Sequence, residues 1–455
     1  MRNLTQVEGM SLDVLRQGIR WNFETFAEYL AQLRASGSAV NLAAYVGHSS
    51  VRTWVLGADA SKREASADEI AQMGRIVREA MAAGAVGFAS STSPAHNGEG
   101  GVPMPSRLAS DAEHIALIEA MGQAGGGVYM VTKGGQMPVA LLEEMSARSK
   151  RPVMIAALLH NPMNPQAVFQ DLEAISAANA RGRRLIGQVS CCPLTMEYTL
   201  ASPYPVEGLA SWKPALGVQG AALKAVLADK SFRDAVRAEL AAPAVFRLFN
   251  GEWDKVHVVE VAEPRHRALE QRSIADIAAE QGGDPLDTML DLALAEDLRT
   301  TFIAGLLNSD EEAVGRMLNH PHSIVSLSDA GAHLTFFTDA GFGLHLLGHW
   351  VRECGAMSLQ EAVRRLTSQS ALLFGMRGRG LLREGYAADL LLFDPATVGR
   401  ADKRRVFDLP GGAPRLTTDA IGVHGVWVNG AMVADGDGLL ANAPLAGELM
   451  TRFGG

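Results

Sequence analysis

The strongest constraint on this chain is a repeating strand–helix rhythm. Apolar runs of strand length occupy positions 40–46, 85–89, 128–131, 152–158, 184–189, 256–260 and 323–327. Segments with helical apolar periodicity separate most of them, and several carry explicit start and stop residues. Ser66 and Glu69 have capping-box spacing, and Gly84 ends the helix they open. Asp111 opens the next helix and Gly125 to Gly127 close it. Strands alternating with helices mark a parallel sheet built from βα units. The expected fold class is therefore α/β, a TIM-like (β/α)8 barrel, with seven parallel strands counted, one short of closure, and no room for another before Val40 except the helical leader.

Two stretches break the rhythm. Residues 198–252 read as a mostly helical insertion, and the first 36 residues as helical turns rich in Leu, Trp and Phe. After Gly375 the texture changes to short β-like pieces separated by Gly, Pro and Asp turns. The expected domains are a barrel over 1–375 and a β-rich portion over 376–455, a β-sandwich portion by the resemblance described below. With 455 residues, 47% of them apolar and 20% charged, the chain has ample material for a large core. A net charge of −9 argues against sequence-independent nucleic-acid binding, which runs on phosphate neutralisation. No apolar run approaches the length of a membrane span, and the N-terminus lacks the apolar core of a secretory signal. Cys191, Cys192 and Cys354 cannot build a disulfide framework or a CxxC zinc site. These features favour a soluble, cytoplasmic protein without membrane or nucleic-acid partners.

In a barrel the C-terminal ends of the strands form the active face. The run SDAGAH at 328–333 follows an apolar strand directly, so Asp329 can serve there as a general base or metal ligand; the alternative is a loop or helix cap. His48 and Arg52 follow another strand, with Arg52 suited to clamp a carboxylate; a loop His and a surface Arg fit the spacing equally. His96 sits in the loop after a third strand as a candidate ligand, and His160 after a fourth with weaker support. Two metal-like spacings look like decoys. His320 and His322 precede a strand and belong to the opposite face. His345 and His349 share a helix face but lack the Glu of an HExxH motif. Neither a phosphate-binding GxxxxGK[ST] loop nor a GxSxG nucleophile elbow occurs.

Several segments together resemble one family. They are VGHSSVR at 46–52, EIAQM at 69–73, EAMAAGAVGF at 79–88, SSTS at 90–93, IADIAAEQGGDPLD at 274–287, SDAGAH at 328–333 and RGLLREGYAADLLLFDP at 379–395. In this order they are similar to the N-acyl-D-amino-acid deacylase (D-aminoacylase) branch of the amidohydrolase superfamily. The resemblance implies a metal-dependent barrel with a small β-sandwich. It implies a divalent metal, usually zinc, that activates water against an amide carbonyl, and an aspartate at the last barrel strand that shuttles the proton. That aspartate maps onto Asp329, as catalytic residue and metal ligand, with His96 as a further ligand and His48, Arg52 and His333 as substrate contacts. The expected substrate is a small N-acyl amino acid or related amide, and a homo-oligomer stays open.

The chain departs from the family pattern in three places. It begins after the point where the family carries a first barrel strand with a His-x-His metal pair. Thr132 stands where members place a metal-binding His, and the strand ending at Leu158 lacks its His, although His160 is close by. Two other readings therefore compete with a linear-amide hydrolase: a metal-free barrel acting as a binding or partner protein, and a cyclic-amide hydrolase.

Overall fold

A computed structural model describes residues 12–98, 101–244, 247–329, 331–334 and 339–454. Part of the expected helical leader (1–11) and Ala330 of the SDAGAH run lie outside the described residues. The strands that position the site are β1 (Tyr45–Gly47), β2 (Gly87–Ser91), β3 (Val128–Thr132), β4 (Val153–Leu158), β5 (Leu185–Val189), β6 (Leu194–Tyr198), β7 (Val256–Glu260), β8 (Thr301–Leu307) and β9 (Ser323–Val325). The chain divides into two compact units, one of residues 1–158, 168–191 and 315–455, the other of 159–167 and 192–314.

In the first unit, β1 to β5 and β9 form one sheet in the order β1-β2-β3-β4-β5-β9, all pairs parallel. The connecting helices begin where the sequence places their caps. Ser66 accepts from Glu69 N while Glu69 returns to the Ser66 backbone, and the helix Ala67–Ala83 ends at Gly84 with φ +112°. Ser110 caps the helix Asp111–Gln123. Apolar stripes of these helices, including Met73, Val77, Leu117, Ile118, Leu142 and Met145, are fully buried. Neighbouring strands leave no room at Gly87 of β2: a Cβ there would lie 1.9 Å from the Val128 carbonyl oxygen of β3. On the other face, Val128, Met154 and Ile324 form a cluster covered by Leu373 and Phe374.

The C-terminal part of this unit is antiparallel β. Strands Leu390–Phe393, Val423–Val428, Ala431–Asp435 and Gly438–Leu439 pair in that order. Asn429 and Gly430, both with positive φ, make the two-residue turn between the second and third of them.

The second unit corrects the strand count. β7, expected as a parallel barrel strand, is antiparallel to β8 in a three-stranded sheet β6-β8-β7. Alternation of apolar residues reports burial of one face and carries no strand direction. Residues 273–298, helical in apolar pattern, hold two helices, Ile274–Gln281 and Pro285–Ala295. Gly282 ends the first in a left-handed conformation, and Asp284 caps the second ahead of Pro285. The 198–252 stretch holds helices Gly220–Ala228 and Lys230–Ala241. No helix among the described residues is long and apolar enough to cross a membrane.

Candidate active site at the C-terminal end of the parallel sheet

The register of β1, β2 and β3 sorts the candidate residues onto two faces. Phe88 pairs with Tyr129 and Ser90 with Val131, while Ala89 pairs with Met130 and Ser91 with Thr132. Neighbouring strand residues point to opposite faces. Gly47 pairs with Ala89, so the next residue, His48, falls beside Ser90 on the helix-covered face. Ser90 Oγ lies 2.8 Å from His48 Nδ1.

From there a buried network extends. His48 Nε2 lies 2.8 Å from Glu113 Oε1, and Arg52 Nη1 pairs with Glu113 Oε2. All three side chains have 0% exposure. Arg52 Nη2 also donates to the carbonyls of Arg63 (2.8 Å) and Ala60 (3.3 Å). The His48 ring packs on Phe88 and His114, and His114 Nδ1 meets the Tyr129 hydroxyl at 3.1 Å. Burial pushes the Glu113 carboxyl up, but bonds and charges from His48 and Arg52 outweigh it and hold it below the usual carboxylate range. Burial drives His48 down against the pull of Glu113, and drives His114 well down with help from the charges of His48 and Arg52. Glu113 thus stands as a carboxylate between the Arg52 guanidinium and the His48 ring. Expected at the mouth as substrate contacts, His48 has both ring nitrogens bonded within the protein and Arg52 has both terminal nitrogens so bonded, with Arg52 Nε left without a partner among the described residues; the one-residue step past β1 turns His48 to the helix side.

The other face collects the remaining candidates. Ser91 Oγ lies 2.7 Å from His96 Nδ1, and Arg107 Nη1 donates to the His96 carbonyl at 3.2 Å. After β9, Asp329 and His333 both take left-handed backbone conformations, with φ +49° and +53°. This winding brings Asp329 Oδ2 to 3.6 Å from His333 Nε2, with side-chain exposures of 47% and 17%. Burial lowers His333 against the opposing Asp329 charge. Burial also lowers His96, which feels His333, Asp329 and Arg107 in turn. The structure therefore brings His96, Asp329 and His333 into one electrostatic group and keeps His48 and Arg52 in another.

His160 belongs to the second unit, where its backbone exchanges hydrogen bonds with Asn308. His320 and His322 lie just before β9, with His320 Nε2 3.4 Å from Ser176 Oγ, at the end of the sheet away from Asp329. Glu113 was missed by sequence reasoning because it sits three residues after a capping Ser, like Glu69. The difference is that Glu113 makes no reciprocal bond to its cap. The adjacent Glu113 and His114 on a buried helix face were the available signal.

The donors at the open group are one carboxylate and two imidazoles, types that suit a divalent ion with nitrogen and oxygen ligands. The 3.6 Å separation of Asp329 and His333 matches one edge of such a coordination shell. Among the described residues, no third carboxylate, imidazole or thiol stands within 4.8 Å of both.

Comparison with known proteins gives the wider context. Residues 7–434 match the model of the amidohydrolase family. The chain is 29% identical to a D-aminoacylase of Alcaligenes xylosoxydans xylosoxydans, over 93% of this chain and 73% of that protein. A solved structure of D-aminoacylase superposes with a TM-score of 0.61 at 25% identity, covering 97% of this chain and 78% of that one. An N-acyl-D-glutamate deacylase from Bordetella bronchiseptica, solved with zinc and a phosphonate inhibitor, shares the fold with a TM-score of 0.61 at 23% identity, over 97% of this chain and 77% of its own. The architecture is thus the α/β amidohydrolase fold, a TIM-barrel-like core with a parallel sheet and a C-terminal antiparallel β region. With its family model spanning nearly the whole sequence, the chain belongs to the amidohydrolase family and is related to the N-acyl-D-amino-acid deacylases.

Proposed function

We propose that this protein hydrolyses the linear amide bond of an N-acyl-D-amino acid, releasing a carboxylate and a D-amino acid. The observation that carries this reading is Asp329: a half-exposed carboxylate after the last parallel strand, held by left-handed backbone against His333 and within the field of His96. Asp329 would be the carboxylate ligand of a divalent metal, zinc by the chemistry of the relatives, with His96 drawn in as an imidazole ligand from outside the 4.8 Å reach of the Asp329–His333 pair. Bound there it would polarise the amide carbonyl and acidify a water molecule. Asp329 takes the proton from the attacking water and delivers it to the departing nitrogen. His333 orients the carboxylate. Ser91 fixes the His96 ring through Nδ1, which leaves Nε2 as the nitrogen for a ligand. His48 and Arg52 act from below as positioning residues, holding Ser90 and the end of β2 in place through Glu113.

The test is acetate release from a panel of N-acetyl-D- and N-acetyl-L-amino acids, with metal content measured on the same sample. Turnover confined to the D series supports the reading. Turnover of the L series alone, or of hydantoin-type cyclic amides alone, overturns it. A second reading, a binding protein without turnover, has one observation in its favour: β3 ends in Thr132, paired with Ser91, so this part of the mouth offers hydroxyls where the family places an imidazole. Tight binding of N-acyl amino acids with no release of product would establish that reading.

A further inference from the structure

Asp329 and His333 hold left-handed backbone, at φ +49° and +53°. Residues other than glycine enter that region at a cost, and they stay there only where their surroundings over-determine it. A local turn supplies part of the restraint, since Ala332 N donates to the Asp329 carbonyl at 3.2 Å. A turn within the run does not fix the run to the rest of the protein. The ladder of β9 with β5 ends at Val325, short of Asp329. The fastening beyond His333 comes from the C-terminal antiparallel region.

Two contacts make it. Leu416, in the strand Ala413–Thr417, donates its N–H to the Leu334 carbonyl at 2.7 Å, one residue past His333. Asp339 follows, with only 3% exposure. Its Oδ1 lies 3.0 Å from Arg400 Nη1 and 3.7 Å from Lys403 Nζ. Breaking a buried ion pair from one side leaves the other charge uncompensated, so such a contact holds firmly. Arg400 is itself held in place, because its strand Gly399–Arg400 pairs antiparallel with Ala420–Ile421. The seat is close. A Cβ on Gly341 would lie 3.2 Å from Thr418 Cγ2 and 3.3 Å from Arg400 Cβ. Phe342 N donates to the Asp339 carbonyl at 2.9 Å, so the same residue starts the helix Phe342–His345.

We propose that Asp339, Arg400 and Lys403 are positioning residues for the Asp329–His333 pair. With the Leu416 bond they hold the chain on the far side of His333, so the C-terminal strands take part in placing the carboxylate. The effect on turnover rests on the function proposed above; the fastening is measured without it. A reacting group displaced by about 1 Å loses about 10²-fold in rate, which makes remote anchors of this kind visible in kcat.

Backbone hydrogen exchange, read by peptide mass on the full 455-residue chain, tests the fastening. Arg400→Ala should speed exchange in peptides spanning residues 331–334 by about tenfold and leave the helix Ala67–Ala83 unchanged. Arg400→Lys, which keeps the charge, should restore most of the protection. Lys403→Met, which keeps the Arg400 contact, should give a smaller rise confined to the same peptides, and it decides the matter if Arg400→Ala unfolds. Arg415→Ala removes an exposed pair with Asp408 and should change neither region. In turnover of N-acyl-D-amino acids, Asp339→Asn and Arg400→Ala should lower kcat by about tenfold or more with KM within about twofold, and Arg400→Lys should recover most of kcat. A parent without turnover removes the function proposed above and leaves exchange to decide. Unchanged exchange at 331–334 in both Arg400→Ala and Lys403→Met, or the same rise in Arg415→Ala, overturns the fastening. A loosened segment with parental kcat overturns the positioning role.

Discussion

His48 and His96 each end up beside a serine of β2, one step apart along the strand. Ser90 holds His48 on the helix-covered face, where Glu113, Arg52 and His114 complete a network without solvent. Ser91 holds His96 on the other face, where Asp329 and His333 remain partly open. Both groups combine imidazole, carboxylate and guanidinium. In the buried one Glu113 and both nitrogens of His48 are engaged by the protein itself, and a titratable group so enclosed reports on folding. The open one leaves a carboxylate with water on one side, which is what proton transfer to a substrate requires. Residue type alone does not separate scaffold from site; the face of the strand does.

Four experiments can break or sharpen this contrast. Asp329→Asn tolerates the same left-handed backbone and removes the base, so we expect turnover to fall by about 10²–10⁴-fold. Its denaturation midpoint should stay close to the parent, because the side chain is half exposed. Near-parental turnover would remove Asp329 from the mechanism.

Glu113→Gln should do the reverse. It leaves the Arg52 charge buried without its counterion and should cost about 3–5 kcal/mol in urea unfolding, the cost of breaking a buried ion pair. Replacing both partners, Glu113→Met with Arg52→Met, should recover much of that loss. A Glu113→Gln protein of parental stability would show that the pair is solvated after all.

The third experiment is a melting curve across pH. The folded-state values of His48 and His114 are lowered by burial, so the unfolded chain binds more protons as pH falls through about 6.5, and stability should decline from there. Glu113 is also lowered in the folded state. Its contribution is present above about pH 4.3 and is lost as pH falls through the folded value. Glu113→Gln should lack this lower step. A melting temperature flat between about pH 7 and 5 would contradict the neutral, enclosed histidines.

The smallest effect belongs to His333→Asn, which also accepts the positive φ. A partly exposed contact of this kind contributes about 0.2–1 kcal/mol, so the fall in kcat should stay within roughly fivefold. A loss as large as that of Asp329→Asn would make His333 a reacting group and not an orienting one.

The helices of the first unit were legible because their punctuation is local. Ser66, Glu69 and Gly84 act within one turn of their own positions, and the helix Ala67–Ala83 follows from them. The direction of β7 was not legible, because pairing with β8 depends on residues more than forty positions away. The order of the parallel strands and the family resemblance placed Asp329 after the last of them. Glu113 was hidden for a related reason. It looks locally like an ordinary first-turn helix carboxylate, and only its side-chain partners on other elements reveal otherwise.

The adjacent serines at the end of β2 carry a consequence for how this chain tolerates change. A deletion or insertion of one residue between Gly87 and Ser91 would exchange their faces, because side-chain direction alternates strictly along a strand. Ser91 would then meet His48, Ser90 would meet His96, and both hydroxyls would lose their geometry together. Length variation in related chains should therefore avoid β2 and collect in the loop that follows Ser91, where added residues can be absorbed before His96.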